Sequence, residues 1–105
     1  MKRPQNYVIP PHTHNKISRD VCLTQEVLFM KQGCARVDFY DTDQNYMEST
    51  IIRTGDVILL AAGGHGLQML EESEIIEVKQ GPYLGENDKV QFEPVARTHI
   101  KIKAS

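Results

Sequence analysis

Four residues of this chain have the types that grip an ion or move a proton: His12, His14, Glu26 and His65. His12 and His14 stand two apart, and on a strand alternate residues project from one face, so both imidazoles can reach a single ion. In a polar loop after Pro10-Pro11 the same pair has no such role, and the pair alone leaves both readings open. Glu26 lies in the run QEVLFMKQG. A glutamate among strand-forming apolar residues either faces solvent or is neutralised inside, and a metal ion is one neutralising partner. His65 follows an apolar run in GDVILLAAGGHGLQML, where Gly63, Gly64 and Gly66 let the backbone turn and approach closely. Taken singly, it is equally an ordinary turn histidine.

These residues need strands to position them. Short alternating or apolar runs recur at 7–9, 21–30, 34–40, 47–53, 57–60, 67–70, 74–79 and 98–103. Turn residues separate them, among them Gly33, Thr54-Gly55-Asp56, Gly63-Gly64 and Gly81-Pro82, and this spacing predicts an all-β antiparallel sandwich or barrel. Lys31-Gln32-Gly33 reads as a short hairpin loop with its glycine at positive φ. If Glu26 points inward, Leu28 and Met30 do too, while Val27 and Phe29 point out. Apolar residues on both faces of one strand need cover on both sides, which predicts a homodimer.

The 105 residues make one domain, with a core over about 7–83 and a C-terminal strand over about 97–103. A net charge of −2 gives no general attraction to nucleic acid. Arg97, His99, Lys101 and Lys103 alternate with Thr98, Ile100 and Ile102, the pattern of a strand with one wet face. The longest apolar run, 57–62, is far short of the roughly 20 residues of a membrane helix, and MKRPQNY has no apolar segment behind its charges. Cys22 and Cys34 are too far apart for a CxxC pair, and read as reduced thiols of a cytoplasmic protein.

HxH, then E-x6-G, then GDVILL followed by a histidine together resemble the two motifs of the cupin superfamily, over about residues 11–83. The resemblance implies a double-stranded β-helix, or jelly-roll barrel, with His12, His14, Glu26 and His65 as metal ligands and Gly33 and Gly55 as turn glycines. TQEVLF, GDVILL, GGHG and EVKQGPY also resemble a subgroup of small cupins of unassigned function, some encoded near surface-polysaccharide genes. The chain departs from the common pattern in three places: eleven residues separate His14 from Glu26 instead of three or four, Ala61 replaces a proline, and His65 falls one place early. Three imidazoles and a carboxylate suit a divalent transition metal such as Fe, Mn, Ni, Zn or Cu, with one or two coordination positions open.

The expected function is a metal-dependent enzyme, of oxygenase or isomerase type, acting on a small oxygen-rich molecule such as a sugar derivative. Glu26 would then double as the catalytic base. A non-catalytic binding or carrier protein, and a metal-free sugar epimerase-like barrel, are the alternatives. Arg19 is a candidate for an anionic substrate, and is otherwise a solvated loop arginine. Glu77 and Lys79 alternate in EIIEVKQ and read as pocket lining that leaves Ile76 and Val78 on a separate apolar face. Cys22 and Thr24 share the parity of Glu26. Tyr40 and Tyr83 read as packing residues, and Met30, Met47 and Met69 as core filler.

Overall fold

The computed structural model describes residues 1–20, 22–81 and 89–103. Within them the runs rich in Val, Ile, Leu and Phe become six strands: β1 (Glu26–Gln32), β2 (Cys34–Tyr40), β3 (Tyr46–Arg53), β4 (Val57–Leu60), β5 (Gly64–Met69) and β6 (Glu74–Lys79). They form two three-stranded antiparallel sheets, ordered β4-β1-β6 and β3-β2-β5. The described strands do not close into a barrel. Among the described residues no helix is long and apolar enough to cross a membrane.

Only β2 and β3 form a hairpin between consecutive strands; every other connection crosses from one sheet to the other. Lys31-Gln32-Gly33 is therefore a crossing between sheets, not the expected hairpin loop. Its glycine does take φ 121°, and a Cβ there would stand 2.7 Å from the Cα of Ser73. The Gly33 amide donates to Thr54 Oγ1 at 3.0 Å, and the Cys34 amide donates to Ser73 Oγ at 3.1 Å. Three sheet-to-sheet crossings are thus tied together at one end of the fold.

The core lies between the sheets. Leu28, Met30 and Leu60 come from one and Ala35, Val37 and Ile52 from the other. Full burial of such a side chain stabilises by about 1.5–3 kcal/mol. The parity of β1 is as expected, with Leu28 and Met30 buried and Val27 and Phe29 only half-buried on the opposite face. Met30 is core, whereas Met47 and Met69 are exposed.

Both chain ends differ from expectation. Residues 7–9 are exposed and form no strand, and the expected strand over 21–30 begins only at Glu26. Pro4, Pro10 and Pro11 each remove a backbone donor that a sheet ladder would use. The run 98–103 is not a full strand: Arg97–His99 is a 3-10 turn, and a single parallel bridge joins Ile102 to Ser49 on the free edge of β3. Two backbone bonds hold it there, Ser49 N to Lys101 O at 2.8 Å and Lys103 N to Ser49 O at 2.7 Å. Tyr83 and Pro82 lie outside the described residues.

Candidate functional site

Glu26 opens β1, and in register it faces Leu60 of β4 and Lys79 of β6. Leu28 faces Glu77, so Glu26, Glu77 and Lys79 share the inner face of their sheet with the core residues. His65 belongs to β5, opposite Phe39. Its position depends on Gly63, whose φ of 75° and missing Cβ let the chain pass the Tyr40 carbonyl, which an added Cβ would approach to 2.5 Å. The sheets thereby bring His65 Nε2 to 2.6 Å from Glu26 Oε1. The core fills one end of the space between the sheets; this pair occupies the other.

The pair lies on the wall of a cavity of about 1110 Å³, with Glu77 and Lys79 on the same wall and Phe92 and Lys89 contributed by the C-terminal segment. Cys22 and Thr24 line it as well, in keeping with their parity. Both cysteines are free thiols. Tyr40 is a packing residue, with its ring edge-on to Phe92 at 4.9 Å and its hydroxyl accepting the Val95 amide at 3.0 Å.

Glu26 and Glu77 are neighbours on this wall, and each carboxyl shifts the other. Burial pushes the Glu26 carboxyl up, but the hydrogen bond with Glu77 and the charge and hydrogen bond of His65 bring it below the usual range. Glu77 is held above that range, first by its hydrogen bond to Glu26, then by desolvation and the negative charge of Glu26. The two carboxyls are thus pushed apart, Glu26 giving up its proton more readily than Glu77.

A pH dependence follows. A carboxyl raised by folding stabilises the fold at low pH, and that contribution is lost as pH rises through its raised value. Glu26, lowered by folding, stabilises at higher pH and loses its contribution only as pH falls through its lowered value. In Glu77→Gln the amide still donates to Glu26 but cannot ionise. This variant should gain stability relative to wild type as pH rises from about 4 to 7, by a small amount because Glu77 is exposed. Urea midpoints at the two pH values check this; parallel shifts in both proteins would mean that Glu77 is not held above the usual range.

His12, His14 and Arg19 are not brought to this site. All of residues 1–20 are exposed, and none lines the cavity. The rings of His12 and His14 stand edge-on, 5.3 Å apart, and His12 Nδ1 donates to the Pro10 carbonyl at 2.9 Å. Without a strand under them, they have no sheet to aim them at Glu26. Among the described residues there is no group of three or more His, Cys, Asp or Glu side chains set to hold a metal. Glu26 and His65 are suitable donors for an ion, and His12 and His14 lie outside the cavity wall that carries them.

A second polar cluster also reaches the cavity and escapes a reading of motifs. Arg36 clasps Asp38 through Nε at 2.8 Å and Nη2 at 3.1 Å. Ser49 donates to Asp38 Oδ1 at 2.5 Å, and Tyr46, 2.7 Å from Ser49 Oγ, accepts the Lys101 amide at 2.8 Å. Because the Ser49 proton goes to Asp38, the Tyr46 hydroxyl must donate to Ser49. The signal in the sequence was Arg36 and Asp38 two apart in the apolar run CARVDFY, both on one face of a strand.

Comparison with known proteins adds no relative. No protein-family model, curated protein or solved structure matches this chain.

Proposed function

We propose that this chain is a cupin-type jelly roll that binds a small oxygen-rich molecule, such as a sugar derivative, and moves a proton on it. The observation that carries this reading is the 2.6 Å contact between Glu26 and His65 on the wall of the cavity, with Glu77 on the same wall. Two neighbouring carboxyls whose proton affinities are pushed apart, Glu26 down and Glu77 up, supply a base and an acid on one wall. His65 orients Glu26 and is a further proton carrier. Lys79, in register with Glu26, places a cation where charge on a carbonyl or hydroxyl oxygen of the bound molecule would develop.

A metal-dependent oxygenase or isomerase is the second reading, favoured by the meeting of Glu26 and His65 from different sheets. A divalent transition metal (Fe, Mn, Ni, Zn or Cu) would use these two donors together with further ones.

The test is solvent deuterium exchange. Aldoses, ketoses and their phosphorylated derivatives are incubated with the chain in D2O, with and without each of the five metals, and followed by NMR. Exchange at a carbon next to a carbonyl in the absence of metal supports the acid–base reading. Exchange only with metal supports the second. A ligand bound tightly and recovered unchanged would replace both with a carrier.

A further inference from the structure

Arg36 carries donors beyond its clasp with Asp38. A guanidinium has five N–H groups, and the clasp takes one from Nε and one from Nη2. One N–H of Nη1 and the second of Nη2 point the same way along the end of the plane. They form a further fork, of the kind that grips a carboxylate or phosphoryl group with parallel bonds. Asp38 is itself held by the Ser49 hydroxyl, so the guanidinium plane is fixed before a ligand arrives. Both residues line the same cavity as Glu26 and His65. The arginine is the more open of the two, its side chain 16% exposed against 6% for Asp38.

The way from Arg36 to His65 runs round one strand. In register Arg36 stands opposite Gln68, whereas His65 stands opposite Phe39. The two side chains therefore project from opposite faces of their sheet, three positions apart, or about 10 Å along the strand. β5 is the edge of that sheet, and all its residues line the cavity, which thus touches both faces of the strand. On the face of Arg36, the β5 residues nearest His65 are Gly64 and Gly66, which bear no side chain. A Cβ at Gly66 would meet only Tyr40 Cε1, at 3.9 Å, so the space beside it is open.

We propose that Arg36 is an anion-binding group of this cavity, taking a carboxylate or phosphoryl group of an elongated, oxygen-rich molecule whose reacting end lies at Glu26 and His65. Asp38 is the positioning residue: it holds the guanidinium plane and balances its charge while the cavity is empty. A single sugar ring is shorter than the span between the two groups, so the molecule has a second ring or an extended chain bearing the acid. The place of the reacting end rests on the acid–base reading above; anion binding at Arg36 does not.

Calorimetric titration at constant ionic strength tests this with two matched pairs of probes, lactose against lactobionate and trehalose against its phosphate monoester. The pairs separate a carboxylate from a phosphoryl ligand. At least one acid should bind wild type about 10–100-fold more tightly than its neutral partner, the contribution of a charge-assisted bond. Arg36→Lys keeps the charge beside Asp38 but loses the fork, and should lose most of that preference. Arg36→Gln/Asp38→Asn serves if the lysine variant fails to fold, because its two amides still bond to each other and to Ser49. It should bind acid and neutral probes alike. Affinity for the neutral sugars should stay at the wild-type level in both variants, which a merely structural role for Arg36 would not predict. Acids bound no better than neutral sugars, or a preference that survives in a folded variant, overturn the proposal. Inorganic phosphate held as tightly as the trehalose ester overturns the elongated body. Absence of proton exchange with the acid preference intact rejects the acid–base reading and sustains the anion site; exchange without the preference rejects the anion site alone.

Discussion

Asp38→Ala should destabilise the fold by about 3–5 kcal/mol, the cost of removing one partner from a buried ion pair. Asp38 is 4% exposed, and its carboxylate holds both nitrogens of the Arg36 clasp as well as the Ser49 hydroxyl. Asp38 raises the Arg36 pKa, but an arginine stays protonated without such help, so the guanidinium is left charged and unpaired when the partner is gone. Ser49 is fully buried and would be left with an unpaired proton. The tail segment suffers too, because Tyr46 and Ser49 anchor residues 101–103 to β3. Ser49→Ala, which leaves the Arg36–Asp38 pair intact, should cost only about 1 kcal/mol. Guanidinium unfolding of the three proteins measures the difference. A loss below about 1 kcal/mol in Asp38→Ala would mean that water replaces the carboxylate at Arg36.

Glu26→Gln should lower kcat/KM about 10²–10⁴-fold on any substrate for which exchange is found, the usual contribution of a positioned acid or base. Glutamine keeps the shape and can still hydrogen-bond to Glu77, but it cannot take a proton. Its effect on stability should be small by comparison, since the core side chains Leu28, Met30 and Val37 are untouched. His65→Ala should lower the rate less if the imidazole only orients Glu26, and equally if it carries the proton. Rates measured across pH separate the two, because loss of a carrier changes the shape of the profile and loss of an orienting group changes its height. Unchanged turnover in Glu26→Gln would move the chemistry away from this pair.

Much of the sheet structure could be read along the chain because its causes are local. Alternation in CARVDFY and EIIEVK, bounded by turn residues, marks β2 and β6 with their observed limits. The parity of β1 follows from a repeat of two, which orients Leu28 and Met30 to one side wherever the strand lies. Gly33 was a turn glycine on sight, and its φ is positive.

Where each strand would find its partners was not local. The turn at 31–33 has the residues of a hairpin, yet β1 pairs with β4 and β6, both distant in the chain, because burying one face of each sheet on the other outweighs the nearest pairing. The same dependence decided the ends: 98–103 has strand alternation but gains only one bridge, and 7–9 finds no neighbour to complete its hydrogen bonds. For the site, the residue types in the chain determined that Glu26 and His65 could do chemistry. Their meeting across two sheets, the placing of Glu77 beside them, and the separation of His12 and His14 from them were decided by tertiary structure, since a side chain is aimed by the strand beneath it and a strand exists only where another pairs with it.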